Sequence, residues 1–231
     1  MYTIKKEKKA MRNILSFAKL IKYIEEYPFG EFFNDWNVSD FIDYLYDVSE
    51  ECQNEKWHCE YGATKMVIIM DDEEIVFKIP FNSIKDYEAR TCEFFYGAPA
   101  TSTWDYCEAE EERYDVAKEY GFANYLAKTE IVYNTKNGIR IYIQPKCTTR
   151  NRHKTTSKRN YRVFSKWYKG SLPIDDTKWL NTFIDCYGAY KLKQFLQFLE
   201  NEDWDDDLSH DNIGYTKEGK PVLIDYSSYM E

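Results

Sequence analysis

Nowhere in this sequence do 18 or more apolar residues run together, and the longest candidates are broken by Lys, Asp or Glu, which excludes a membrane-spanning helix. A cleavable secretory leader is not expected either. Lys5, Lys6, Lys8 and Lys9 precede an apolar stretch, 14–24, but Lys19 and Lys22 interrupt it and no small-residue cleavage site follows. The expected compartment is therefore a reducing cytoplasm, with no membrane partner. The six cysteines, at 52, 59, 92, 107, 147 and 186, form no C-x-x-C pair, so neither a zinc site nor a redox dithiol is expected and the thiols read as free. His58 beside Cys59, with Cys52 nearby, is too little for a metal. There is also no internal repeat and no low-complexity linker.

What is present is the composition of a folded protein: 43% hydrophobic, 31% charged and 18% aromatic, with 21 Tyr among 231 residues. That length allows one large domain or two small ones. The net charge of -9 is unevenly spread. From Lys146 to Lys169 there are nine Lys or Arg and no acid, leaving 22 basic against 40 acidic residues, or -18, in the rest. Such a block reads either as a solvated loop or as a docking segment for an acidic or nucleic-acid partner, with Arg150, Arg152, Lys154, Lys158, Arg159 and Arg162 interleaved with Tyr161 and Trp167.

Hydrophobic spacing divides the chain. Apolar positions 14, 17, 18, 21 and 24 repeat with a helical period, as do 41, 42, 45 and 48, so two N-terminal helices are expected over 10–27 and 39–49. Strands are expected at 57–61, 65–70 and 74–79, the last two joined by Asp71-Asp72-Glu73. A short helix is expected around 84–95, and a clear one over 105–120. The latter carries a stripe of Cys107, Glu110, Tyr114, Ala117 and Gly121, which sets a carboxylate among apolar residues. Strands at 128–133 and 139–143 flank Asn137-Gly138, a strong hairpin signal. One helix is expected over 177–200, then an acidic loop, 202–207, and a last hairpin of 213–215 and 222–224 around a polar turn. Gly214 to Lys220 spells G-x-x-x-x-G-K, but Pro221 stands where Ser or Thr would hold a metal and no helix follows, so it is read as a turn.

Phosphoryl transfer needs metal ions on the β and γ phosphates, a cation on the α and β phosphates, and a carboxylate near the attacking hydroxyl. Asp207, Asn212 and Asp225 supply hard oxygen ligands around the last hairpin. In the motif Asp207-Leu-Ser-His-Asp-Asn212, followed thirteen residues later by Asp225-Tyr226-Ser227, the sequence resembles the protein-kinase-like superfamily, with its D-x-x-x-x-N catalytic loop and D-F-G. Val76-Phe-Lys78-Ile resembles the third-strand lysine motif, and Gly62-Ala-Thr-Lys65 stands where the glycine-rich loop would be.

The resemblance covers about 57–229 and implies an α+β, bilobal kinase-like fold. It would have a five-stranded antiparallel N-lobe sheet with helix C (57–147) and a reduced, mainly helical C-lobe (148–231), preceded by an N-terminal helical extension (1–56). It implies ATP and Mg²⁺ as cofactors, with Lys78 on the phosphates and Glu110, or alternatively Glu111, as the lysine's partner. Gly62 would lie at the nucleotide, Gln144 to Cys147, including Lys146, would serve as the adenine-binding hinge, Asn212 and Asp225 would hold the metal, and Asp207 would act at the acceptor hydroxyl. The sequence departs from the pattern in having one glycine in the loop, Asp205-Asp206 in place of His-Arg, Ser227 in place of Gly, and six residues after Asp225, so no activation segment is expected. The implied activity is an ATP- and Mg-dependent phosphotransferase. The alternatives are a pseudokinase that binds a nucleotide or partner, and a kinase-like AMP transferase.

Overall fold

The computed structural model describes residues 17–27, 43–44, 47, 57–62, 64–70, 74–80, 105–136, 138–149, 177–205, 208 and 211–227. Their elements, in chain order, are helix α1 (17–26), β1 (Trp57–Tyr61), β2 (Lys65–Met70), β3 (Ile75–Pro80), α2 (Tyr106–Glu119), β4 (Glu130–Asn134), β5 (Arg140–Pro145), α3 (Thr177–Tyr187), α4 (Ala189–Asn201), β6 (Ile213–Tyr215) and β7 (Pro221–Leu223). The chain is α+β and divides into two compact units. The first comprises 1–108, 130–144 and 231, and the second 109–129 and 145–230.

The first unit is built on a five-stranded sheet in the order β1-β2-β3-β5-β4. The β1/β2, β2/β3 and β4/β5 ladders are antiparallel, and β4 carries a bulge between Ile131 and Tyr133. In a strand, alternate side chains leave opposite faces. Met66, Ile68, Met70, Phe77, Ile79 and Ile141 accordingly share one face and one core with Leu20 and Ile24 of α1. Leu20 and Ile24 are fully buried, a gain of about 1.5–3 kcal/mol for each side chain. Phe17 stacks on Phe77 with centroids 5.4 Å apart. Glu25 accepts from Tyr133 Oη (3.4 Å) and Lys136 N (3.3 Å), which ties α1 to the β4–β5 turn. The N-terminal helix is thus the apolar cover of the sheet. Of the second expected helix, residues 43, 44 and 47 are helical, and Tyr44 packs on Tyr27. The helix expected at 84–95 lies outside the described residues.

The start of α2 follows its sequence. Asp105 Oδ1 accepts from the backbone N of Cys107 (2.9 Å) and Glu108 (3.1 Å), capping the first turn. Its Oδ2 accepts from Tyr142 Oη at 2.8 Å and Arg140 Nη1 at 3.1 Å on β5. Burial, followed by the nearby Asp105 charge, pushes the Tyr142 phenol well above its ordinary range.

The second unit has its own core, in which Trp179, Leu180 and Phe183 of α3 meet Leu192, Phe195, Leu196 and Leu199 of α4, the Ala123–Tyr125 turn, and β6/β7. Tyr125 lies 4.2 Å from Tyr187 and 4.4 Å from Phe195, centroid to centroid. The single helix expected over 177–200 is in fact two. Gly188, at φ 84°, ends α3 at Tyr187, because a side-chain-bearing residue rarely adopts that conformation. Among the described residues no helix is long and apolar enough to cross a membrane, and Cys59, Cys107, Cys147 and Cys186 are free thiols. Cys52 and Cys92 lie outside the described residues.

Candidate functional site

The last hairpin, β6 and β7, has strands of three residues each. Ile213 pairs with Leu223 and Tyr215 with Pro221, while the turn closes through Thr216 N to Lys220 O (2.9 Å) and Gly219 N to Thr216 O (2.8 Å). The G-x-x-x-x-G-K stretch is therefore strand and turn. Beyond the last paired strand residues, Ile224 N donates to Asn212 O at 2.8 Å. Asn212 and Asp225 consequently stand at the same open end of the hairpin, both half-buried. Ser227 Oγ donates to Asp225 Oδ1 at 3.3 Å. An amide oxygen and a carboxylate at one strand end are hard donors, a set that fits Mg²⁺ better than a softer ion. Among the described residues no three His, Cys, Asp or Glu gather as a metal cluster. Asp207 lies outside the described residues.

The chain after Asp225 is held firmly. Arg113 of α2, nearly buried, donates from Nη1 to Tyr226 O at 2.6 Å, and its guanidinium lies 4.9 Å over the Trp204 ring. Tyr226 Oη donates to Ala127 O at 2.8 Å. One guanidinium thereby joins Trp204, three residues before Asp207, to Tyr226, one residue after Asp225. Arg113 belongs to no recognisable motif of the sequence. It lies three residues after Glu110, on the same helical stripe, and that spacing was the available signal.

Glu110 is fully buried on α2, and its Oε2 accepts from Thr129 Oγ1 at 2.6 Å. Glu111, the alternative, is half-buried. Cys107, Glu110 and Ala117 are all at 0% exposure and Tyr114 is half-buried, so the helix phase expected from sequence holds as far as Ala117, while Gly121, expected on the same stripe, lies beyond the helix end and is exposed; Ala109 and Arg113 widen the stripe. No sequence signal pointed to Thr129.

In the first unit Lys78 lies on β3, which is flanked by β2 and β5, and is 3% exposed. Lys65 on β2 is equally buried, and Gln144 on β5 is 2% exposed. Gly62 ends β1 in a tight reversal, its N donating to Lys65 O at 3.0 Å. In the second unit Lys146 and Cys147 are half-buried and lead to Thr148, whose N and O each pair with Tyr215 of β6 at 2.9 Å. Cys147 packs so closely on β6 that a Cβ added at Gly214 would come within 2.6 Å of its own Cβ. Of the sequence-derived residues, then, Asn212 and Asp225 are brought together at one strand end, and Cys147 is brought against the same hairpin. An open groove of about 530 Å³ along α1, lined by Ala18, Ile21, Lys22, Glu25, Glu26 and Lys136, includes none of them.

No protein-family model and no curated protein matches the chain. Among solved structures, the bifunctional kinase-methyltransferase WbdD is similar at 14% identity and a TM-score of 0.37, over 74% of this chain and 33% of that one. The chain thus spans about a third of that protein's length.

Proposed function

We propose that the chain is an atypical, protein-kinase-like phosphotransferase that uses Mg-ATP. The observation that carries this reading is the final hairpin, whose open end holds Asn212 and Asp225 side by side in the chain's only D-x-x-x-x-N…D arrangement of kinase spacing noted above. Asn212 and Asp225 hold the cation. Mg²⁺ bound there neutralises charge developing on the transferred phosphoryl group. Asp207 positions or deprotonates the acceptor hydroxyl, and Lys78 binds the α and β phosphates. Glu110, kept in one orientation by Thr129, is the carboxylate assigned to orient that lysine. Lys146 and Cys147 provide backbone groups for the adenine.

Two observations support these roles. A lysine at 3% exposure on an interior strand is not a solvated surface charge, because burying an ammonium costs several kcal/mol. Asp225 is bracketed by fixed groups, the Ser227 hydroxyl on its own oxygen and the pinned Tyr226 backbone, which is the preorganisation that metal-assisted transfer requires.

The test is nucleotide binding followed by turnover. Saturation at a hundred times the dissociation constant adds about 2.7 kcal/mol, a rise of roughly 5–10 °C in melting temperature for a chain of this size. Asp225→Asn should remove the Mg²⁺ dependence of that rise, and Asp207→Ala should abolish phosphate transfer while leaving ATP bound. Unchanged turnover in Asp207→Ala sinks the enzymatic role. Binding without turnover identifies a pseudokinase, and retention of an α-phosphate label on the acceptor identifies AMP transfer.

A further inference from the structure

Asp225 lies in a short stretch of main chain that is held on both sides of it. Leu223 O accepts from Ala127 N and Ile224 N donates to Asn212 O, each at 2.8 Å, while Tyr226 O accepts from Arg113 Nη1 at 2.6 Å. The Tyr226 side chain returns to the same support, its Oη donating to Ala127 O at 2.8 Å. Ala127, Arg113 and Tyr226 are all buried, so water competes little for these groups.

The contacts of Leu223 and Ile224 run from backbone to backbone and hold the hairpin whatever the side chains are. The contact of Arg113 differs, because a side chain of α2 makes it and one substitution removes it. Its guanidinium is seated as well as bonded, 4.9 Å over the Trp204 ring. Trp204 is itself fixed beside α4: its ring meets Phe198 edge-on with centroids 5.3 Å apart, and its N donates to Leu199 O at 2.8 Å. A planar guanidinium can stack on a ring and still donate from its edge, which a point ammonium cannot do. The carbonyl next to Asp225 is thereby referred to α2 through Arg113 and to α4 through Trp204.

We infer that Arg113 is a positioning residue for the divalent cation: by gripping the Tyr226 carbonyl it keeps the Asp225 carboxylate in the orientation that accepts Mg²⁺. The inference rests on the reading of Asp225 as a Mg²⁺ ligand and deepens it, since it names the side chain on which that ligand's orientation depends. A charge-assisted hydrogen bond, once lost, shifts a local equilibrium by about tenfold. The apparent dissociation constant of a ligand rises as its binding-competent fraction falls. Saturating Mg²⁺ draws the population back to the competent state.

The experiment titrates Mg²⁺ into the intact chain at fixed ATP and reads nucleotide binding by calorimetry, for the parent, Arg113→Met, Arg113→Lys and Asp225→Asn. Adenosine affinity is measured alongside, at a temperature where each variant is folded. Arg113→Met should raise the half-saturating Mg²⁺ concentration by about tenfold, leave adenosine affinity unchanged, and bind ATP as the parent does once Mg²⁺ saturates. Arg113→Lys should fall between the two, with a rise of about threefold, because it keeps one of the two contacts. A role confined to stability would lower the melting temperature and leave the Mg²⁺ requirement untouched. Loss of Mg²⁺ dependence in Asp225→Asn together with a parental Mg²⁺ requirement in Arg113→Met therefore overturns the role of Arg113 and leaves the metal reading standing. A parent whose nucleotide binding ignores Mg²⁺ defeats the metal reading, and the inference with it. Should Arg113→Met fail to fold, Arg113→Lys decides: a Mg²⁺ requirement equal to the parent's overturns the inference.

Discussion

Replacing Gly214 by Ala tests the packing that holds the segment after β5 against the last hairpin. The new Cβ would lie 2.6 Å from Cys147 Cβ and 2.6 Å from Ile224 Cγ2, whereas carbon atoms rest at about 3.5–4 Å. Neither neighbour yields cheaply. Cys147 Cβ is bonded to the backbone, and that backbone is tied to β6 through the two 2.9 Å Thr148–Tyr215 hydrogen bonds. Turning Ile224 off its rotamer costs about 0.5–1.5 kcal/mol, and overpacking of this kind costs about 1–3 kcal/mol in all. For a chain of this length, that lowers the melting temperature by roughly 2–12 °C. Cys147→Gly removes one of the two clashing atoms. A double-mutant cycle of Gly214→Ala with Cys147→Gly, followed by urea unfolding, should therefore show a compensating coupling of at least about 0.5 kcal/mol. If Gly214→Ala melts within about 1 °C of the parent and the cycle shows no coupling, the close approach of Cys147 to β6 is wrong.

The Arg113 clamp predicts that Arg113→Met costs about 2–4 kcal/mol in urea unfolding, from a lost charge-assisted hydrogen bond and a lost ring contact. Arg113→Lys should recover only part, because a point ammonium cannot both stack on Trp204 and reach the Tyr226 carbonyl. Equal stability of Arg113→Met and the parent would remove the clamp. The pH dependence follows from burial of neutral acids. Desolvation pushes the Cys59 thiol from 9.0 up to about 12, and desolvation followed by the Cys186 charge pushes the Tyr125 phenol from 10.0 up to about 12. In each case the unfolded chain loses the proton first and binds fewer protons above the unfolded value. Stability should therefore fall as pH rises from about 9 to about 12, with no contribution from these groups below pH 8. Cys59→Ala should delay the onset toward pH 10, and a chain equally stable at pH 8 and pH 11.5 would contradict the burial.

Local signals were legible where backbone geometry sets them. The strands at 57–61, 65–70 and 75–80 follow apolar runs and an acidic turn, the start of α2 follows a capping Asp105, and the last hairpin follows a polar turn between short β-branched runs. The helix phase that buries Glu110 was readable because a period of 3.6 needs only one helix to be correct. The break at Gly188 escaped notice because Ile184, Tyr187, Leu192 and Phe195 continue a helical stripe across it. The apolar pattern reports which side faces the core and does not show that the axis has turned. Arg113 and Thr129 escaped for a different reason. Their partners, Tyr226 and Glu110, are 113 and 19 residues away, and no spacing along one element encodes such a contact.

Lys78 marks the limit of pattern reading most sharply. As a residue type on a strand it is indistinguishable from a lysine at a sheet edge, where its charge would discourage pairing with another chain. Two non-local facts distinguish it: β5 returns from sixty residues on to cover the flank of β3 that β2 leaves open, and the resulting interior position is 3% exposed. An ammonium in such a place lowers stability unless charges or dipoles compensate it, and no spacing along β3 encodes that compensation.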